Sequence, residues 1–159
     1  MAIDRARAHL RSLGMEDRVM EFAVSSATVE LAAQAVGCEP ARIAKTLSFA
    51  VGDRVALVVA AGDTRIDNRK FKDTFHAKPK MLPAEDAEVR IGHAVGGACP
   101  FGVADGCNVY LDESLRRFDE VFPACGSANS AVRLSPAELE ACTQPCTWVD
   151  VCKLPQVQE

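Results

Sequence analysis

The apolar positions along the chain fall into short runs, and their spacing predicts a series of short helices. Residues 2–13 place apolar side chains on one helical face, and Gly14 would end that helix. Ser25 and Ser26 are candidate N-caps for a second helix over residues 27–36. Further helix starts are predicted at Pro40, Asp67, Pro83 and Asp112, and at Ser135-Pro136-Ala137-Glu138, which has the pattern of a capping box.

Runs rich in β-branched residues predict the strands. Ile43–Val51 and Arg54–Ala61 flank the tight-turn signal Gly52-Asp53, so they predict a hairpin. Shorter strands are predicted over residues 108–111, 120–124, 131–134 and 147–152. Strands that pair locally and are interrupted by short helices indicate an α+β (mixed α/β) fold. We expect a curled, largely antiparallel mixed sheet with helices packed outside, in one domain spanning residues 1–159.

Charge narrows the range of functions. The net charge of −4 argues against a protein that grips nucleic acid over a broad surface. Between positions 65 and 80, however, six Lys/Arg face two Asp, a local balance of +4. This segment is either a solvated helix face or a small patch that holds one end of a polyanion. No apolar run is long enough to cross a membrane, and the N-terminus lacks a secretory pattern, so we expect a cytoplasmic protein.

The seven cysteines predict buried thiols, and we expect neither a metal nor another cofactor. Their odd number, without a secretory signal, indicates reduced thiols. The spacing Cys142-x3-Cys146-x5-Cys152 raises the alternative of a metal site. Zinc sites usually combine two tight pairs, and no second pair or His partner follows here. Cysteine as a small buried apolar residue is therefore the favoured interpretation.

Lys45 is the first candidate for chemistry. If residues 43–49 form a strand, Lys45 shares a face with the apolar Ile43, Leu47 and Phe49. A lone ammonium among apolar side chains is costly, so a structural or a functional reason must hold it there. Either the side chain snorkels to solvent at the end of the strand, or it meets an anion in a cleft.

A glycine-rich segment over residues 96–102 is the second candidate. Three glycines and Pro100 within seven residues predict a loop. Backbone N–H groups in such a loop can approach a ligand closely and form an anion-binding nest or an oxyanion hole. The alternative is a plain turn. A Lys and fixed N–H donors together would suit an ester carbonyl beside a phosphate.

Several segments, in order, resemble the YbaK/ProX family of trans-acting aminoacyl-tRNA editing deacylases. Gly37 followed by ARIAKTLSF is similar to the Lys-bearing segment of the family, and VVAAGDTRID to its next strand and turn. The sequence IGHAVGGACPFG resembles its glycine loop, in which Gly96 to Pro100 fits a G-x-x-x-P pattern. VYLDESL, ACGS and RLSPAEL resemble its closing third. No single motif is specific, but the ordered set covers residues 20–140.

The resemblance implies hydrolysis of the ester between a wrong amino acid and the terminal adenosine of a tRNA, without a metal. It implies that Lys45 is the key catalytic residue and positions substrate. The remaining candidate substrate-binding residues are Gly96, Gly97, Ala98, Cys99, Pro100, Gly102, His93, Ser127, Phe22 and Thr28. For the last four and for Cys99 a structural role remains an alternative. The attacking group, the amino acid and the tRNA stay open.

The expected partners follow from the same resemblance. They are the acceptor end of a mischarged tRNA and, as a further candidate, an aminoacyl-tRNA synthetase, with no membrane. Monomer and homodimer both stay open. The alternative function is a catalytically silent relative that binds a tRNA end or a synthetase. The intact Lys45 and glycine loop favour the enzyme.

Overall fold

The computed structural model describes residues 2–93 and 98–155. Five α-helices are present in these ranges: α1 Ala2–Ser12, α2 Val29–Val36, α3 Asn68–Phe75, α4 Ala84–Ile91 and α5 Pro136–Cys142. The strands are β1 Val19–Glu21, β2 Ile43–Val51, β3 Arg54–Ala61, β4 Arg65–Ile66, β5 Cys107–Asp112, β6 Phe122–Pro123, β7 Ser130–Val132, β8 Cys146–Val149 and β9 Cys152–Lys153. Short 3₁₀ helices span Glu16–Arg18, Pro40–Arg42 and Glu113–Arg117.

A five-stranded sheet in the order β6-β2-β3-β5-β8 forms the centre of the fold. The hairpin β2–β3 is antiparallel, as its turn signal predicted, whereas β2–β6, β3–β5 and β5–β8 are parallel. Two small antiparallel sheets, β1–β7 and β4–β9, complete the structure. The mixed α+β fold class is confirmed. The six strand pairings within the described ranges divide equally between the two directions, so the sheets are less antiparallel than predicted.

Apolar side chains pack on both faces of this sheet. Strand β3 is buried from Val55 to Ala61 because it is central in the sheet and an apolar cluster covers each face, which explains its continuous apolar run. The larger cluster on one face includes Leu57, Leu111 and Phe101, and the second includes Phe49, Val58 and Phe71. The described residues contain no helix that is long and apolar enough to cross a membrane.

Two local predictions are wrong, and long-range contacts explain both. The N-cap of α2 is Thr28, whose side chain accepts from the N–H of Leu31. Ser25 and Ser26 instead bind the distant segment around Ala128 through Ser25 Oγ and the Ser26 N–H. The strand predicted over 147–152 is two strands, because the Val151 N–H turns away to donate to Asp112 Oδ1.

Candidate functional site

Among the residues that the structure describes, no strand lies beside part of the outer edge of β2. Strand β6 pairs only with Ile43 and Ala44, and the chain around Met81 returns to β2 at Phe49. There the Leu82 N–H donates to the Ser48 carbonyl over 3.0 Å, and the Ala50 N–H donates to the Lys80 carbonyl over 2.9 Å. The backbone groups of even-numbered residues therefore point to this edge. Residues 45–47 form a gap in which the main chain of Thr46 points outward.

A cavity of about 260 Å³ lies at this gap. Its walls come from α2 and the residues before it, from β2, from the chain around Met81 and α4, and from β6 and β7. Six lining residues are polar: Ser26, Thr28, Lys45, Thr46, Ser48 and Ser130. Seven are alanines: Ala27, Ala32, Ala44, Ala87, Ala98, Ala124 and Ala131. None of the described lining residues is an Asp, Glu, His or Cys.

Lys45 lines this cavity with its ammonium group anchored at one side. Its Nζ donates to the main-chain carbonyls of Gly62, over 3.5 Å, and of Thr64. The side chain is half-buried, and burial lowers the pKa of the amine below its ordinary value, although nearby acidic groups led by Cys152 and Asp63 oppose the shift. An ammonium has three N–H donors. With two of them on carbonyls, one remains for a ligand in the cavity.

Thr46 adds an unsatisfied polar atom beside this lysine. Its Oγ1 is buried and has no hydrogen-bond partner among the described residues, although it belongs to a cavity-lining side chain. A buried hydroxyl without a partner costs free energy that a ligand or water can recover. Oγ1 can both donate and accept, and it lies on the face of β2 opposite to the Lys45 side chain, because successive side chains of a strand alternate.

The predicted glycine loop reaches the cavity at one described residue, Ala98. Gly96 and Gly97 lie outside the described residues. Cys99 and Pro100 are buried, and Cys99 packs in the larger apolar cluster. Gly102 has a φ of +61°, and a Cβ there would lie 3.0 Å from the carbonyl oxygen of Arg5. Gly102 therefore permits close packing of this loop on α1.

His93 and Cys99 form a buried pair that is separate from the cavity lining. His93 Nε2 donates to the Phe101 carbonyl over 2.8 Å and lies 3.6 Å from Cys99 Sγ. Burial lowers the pKa of His93 and raises the pKa of Cys99. Both groups are thus favoured in their neutral forms at neutral pH, so the thiol is a poor nucleophile.

The remaining predicted residues divide between the cavity and its surroundings. Thr28 lines the cavity and caps α2. Phe22 is not in the described lining; its backbone binds Asn129. Ser127 is one step removed, because its Oγ donates over 2.8 Å to Oγ of Ser130, which lines the cavity. Sequence reasoning missed Ser26, Thr46, Ser48 and Ser130 as candidates. Only Thr46 and Ser48 had a sequence signal, because they are polar residues of the strand that carries Lys45, although their side chains lie on its other face.

The half-buried ammonium gives a testable effect on stability. We expect Lys45→Met to raise the free energy of unfolding at pH 7 by about 1 kcal/mol, because methionine fills the volume without a buried charge. The folded-state pKa lies below the ordinary 10.5, so the charge destabilises the native state fully only below that folded pKa. The advantage of methionine should shrink as the pH rises from there towards 10.5.

Urea denaturation of both proteins at a series of pH values measures this difference. Lys70→Met is the matched control, because Lys70 Nζ also donates to a main-chain carbonyl, that of Cys152. The Lys70 amine has a raised pKa, mainly through its hydrogen bond to Asp150, so its loss should destabilise the protein. An advantage of Lys45→Met that grows with pH would contradict the assignment of a buried charge.

The described residues contain no cluster of His, Cys, Asp or Glu that could hold a metal ion, and all seven cysteines are free. The candidate site therefore consists of a lysine, hydroxyl groups and main-chain donors around an apolar cavity. Such a site can bind an anion or a polarised carbonyl next to a small apolar group. It can act on a bond that is already activated, by orientation and electrostatics.

Comparison with known proteins shows which family and which relatives the chain is similar to. The family model for the aminoacyl-tRNA editing domain matches residues 24–142. The uncharacterized protein YwhH of Bacillus subtilis is 50% identical over 154 residues, which cover 96% of this chain and 98% of YwhH. A proline–tRNA ligase of Bacillus velezensis is 28% identical over 90 residues, which cover 56% of this chain and 16% of the ligase.

A solved structure described as a candidate trans-editing enzyme for prolyl tRNA synthetase has the same fold. Its TM-score is 0.86 at 30% sequence identity, and the match covers 96% of this chain and 97% of the other. The cavity at the β2 edge thus lies within a fold that is similar to this relative from end to end.

Proposed function

Because the chain belongs to the aminoacyl-tRNA editing domain family, we propose that it hydrolyses the ester bond joining a wrong amino acid to the terminal adenosine of a tRNA. One observation carries this proposal. Lys45, whose ammonium keeps one N–H after its bonds to the Gly62 and Thr64 carbonyls, and Thr46 both line a single small cavity with largely apolar walls. An aminoacyl ester presents a carbonyl, a polar amine and a side chain to match these features.

The size of the cavity supports binding of the aminoacyl group and not of the whole nucleotide. Its volume of about 260 Å³ is below the range for drug-sized ligands. The alanine walls contact the amino-acid side chain, so small apolar residues are the favoured substrates. The adenosine lies at the mouth, where Met81, with 58% of its surface exposed, offers an apolar contact.

The reaction needs few protein groups because the ester is already activated. Water attacks the ester carbonyl carbon, and negative charge develops on the carbonyl oxygen. The Thr46 N–H and the Lys45 ammonium stabilise this charge by hydrogen bonding. The bond from the acyl carbon to the ribose oxygen then breaks, and the ribose oxygen takes up the proton that the water loses.

Lys45 acts in this scheme as a fixed cation and not as a nucleophile. Its bonds to the Gly62 and Thr64 carbonyls hold the protonated amine in place, and a protonated amine has no lone pair for attack. The pKa of Lys45 is lowered mainly by burial. Activity that depends on the ammonium should therefore be lost at a lower pH than for an exposed lysine.

The proposed partner is the acceptor end of a mischarged tRNA, in the cytoplasm. Relatives of this domain include proline–tRNA ligases and a candidate trans-editing enzyme for prolyl tRNA synthetase. Proline tRNA carrying a wrong amino acid is therefore the first substrate to test. A synthetase that hands over the charged tRNA is a further partner in this proposal.

A panel of mischarged tRNAs tests the function directly. Purified protein is incubated with proline tRNA charged with alanine, serine, cysteine or proline, and with alanine tRNA charged with alanine, and release of the amino acid is measured. We expect turnover of at least one mischarged species that carries a small amino acid, and little turnover of correctly charged tRNA. Tight binding without release across the panel would instead indicate a catalytically silent relative.

A further inference from the structure

A second concave surface lies on α3 and the chain that follows it. This basic groove has a volume of about 490 Å³ and is lined by Asn68, Arg69, Lys72, Lys78 and Pro79. Arg69 and Lys72 come from α3 itself, whereas Lys78 comes from the segment beyond the helix end at His76. Two separate pieces of backbone thus bring three cations to one concave surface. A solvated helix face alone would not include Lys78.

The three cations of the basic groove are not neutralised within the described structure. Arg69, Lys72 and Lys78 are exposed and form no ion pair with any described carboxylate. The neighbouring Lys70 differs, because it pairs with Asp150 at 3.0 Å. In a protein of net charge −4, such a group of unpaired cations attracts an anion locally while the rest of the surface repels it.

The basic groove and the candidate active site are neighbours. Pro79 lines the groove and Met81 lines the cavity, and the Cα atoms of residues two apart are separated by at most about 7 Å. Strand β2 fixes this short segment through the Ala50 N–H to Lys80 and the Leu82 N–H to Ser48 hydrogen bonds. The cavity and the basic groove are therefore adjacent, and a chain that leaves the cavity past Met81 needs to span only a short distance to reach the groove.

We propose that the basic groove binds the phosphodiester backbone of the single-stranded acceptor end of the tRNA while the terminal aminoacyl group occupies the cavity. This inference rests on the proposed function for its occupant. Positively charged grooves that follow the backbone are a general mode of single-strand recognition. Arg69, Lys72 and Lys78 contact phosphates and no base, so the groove supplies affinity and register without sequence preference.

The test compares two substrates that share the ester and differ in phosphates. Arg69→Gln, Lys72→Gln, Lys78→Gln and the triple variant are assayed on mischarged tRNA and on the aminoacyl ester of free adenosine. On tRNA we expect each single variant to raise KM by about three-fold and the triple variant by about 30-fold. On the nucleoside ester kcat/KM should stay unchanged. Arg11→Gln is the charge-matched control, because the Arg11 side chain is 69% exposed on α1, where it pairs with Glu16.

Salt dependence and direct binding complete the test. With three phosphate contacts on a single strand, the logarithm of the association constant plotted against the logarithm of the salt concentration should have a slope of about −2. Each substitution should reduce the magnitude of this slope by about 0.7. Equal losses on both substrates, unchanged KM in the triple variant, or the same loss in Arg11→Gln would overturn the proposal. If the wild type hydrolyses neither ester, the proposed function fails, and binding of uncharged tRNA, measured by fluorescence anisotropy, still decides whether the groove holds it.

Discussion

Replacing Lys45 by alanine should reduce deacylation of mischarged tRNA by at least about 100-fold, the scale expected for loss of one donor that stabilises a developing oxyanion. In the proposed mechanism Lys45 contributes a charged N–H, and none of the other described residues that line the cavity is a Lys or Arg. Neighbouring hydroxyl groups cannot replace the charge. The measurement is single-turnover release of the amino acid, with kcat and KM determined separately.

Folding must be separated from catalysis in this experiment. Lys45 is half-buried and its pKa is lowered by burial, so removing the charge should leave a folded protein with an unchanged circular dichroism spectrum. Lys70→Ala is the matched control, since Lys70 also reaches a main-chain carbonyl but does not line the cavity. Full activity of Lys45→Ala, or equal losses in both variants, would remove the lysine from the mechanism.

Local sequence signals predicted the elements whose contacts are close along the chain. The β2–β3 hairpin depends on a two-residue turn and an apolar run, and both are visible in the sequence. The start of α5 is similar: Ser135 and Glu138 satisfy each other across one turn in a capping box. The YbaK/ProX resemblance, which depends on the order of short motifs, is also confirmed by the family match over residues 24–142.

Elements that depend on distant partners could not be predicted in this way. Strand β4 has two residues and exists because Ile66 pairs with Cys152, far along the chain. The N-cap of α2 depends on Ala128, whose carbonyl accepts hydrogen bonds from Ser25 Oγ and the Ser26 N–H. Thr28 caps the helix in their place. The parallel β3–β5 pairing is also non-local. Local turn signals indicate only antiparallel neighbours, so the predicted sheet contained too large a share of antiparallel pairings.

In the candidate site, too, residues with a local sequence signal could be predicted, and residues that long-range packing brings together could not. Lys45, which lines the cavity, could be selected as a candidate from the sequence because a lysine on an apolar strand face is unusual in any context. Ser26 and Ser130 were missed, because a serine near a turn carries no sequence signal until the fold brings it to the cavity. The roles of Cys99 and Gly102 also depend on packing. Cys99 is buried in the apolar cluster and Gly102 lies close to Arg5, and a glycine-rich motif predicts neither contact.

Gly62→Ala should cost at least about 3 kcal/mol of folding free energy, the upper range for forcing extra volume into a packed site. A Cβ on Gly62 would lie 2.2 Å from the carbonyl oxygen of Pro40 and 2.7 Å from Val29 Cγ1. The first contact is with backbone, so a rotamer change cannot relieve it. The chain after β3 must move away from α2 and the Pro40–Arg42 turn, or these must move instead.

Movement at Gly62 would also disturb the candidate active site. The Gly62 carbonyl accepts a hydrogen bond from Lys45 Nζ, and Val29 lines the cavity. We therefore expect the folded fraction of Gly62→Ala to deacylate tRNA more slowly, because the ammonium loses a fixed position. Urea denaturation gives the stability, and assays at a temperature where the variant is folded give kcat.

A second glycine separates crowding from backbone strain. Gly106 has a φ of +90°, but a Cβ there would meet no atom within 4 Å. Gly106→Ala should thus cost about 1–2 kcal/mol through the left-handed backbone alone and leave activity unchanged, since Gly106 does not line the cavity. Gly62→Ala should be clearly less stable than Gly106→Ala. The opposite order would mean that the turn between β3 and β4 does not pack tightly against Pro40. The Gly62 carbonyl would then not hold the Lys45 ammonium in a fixed position.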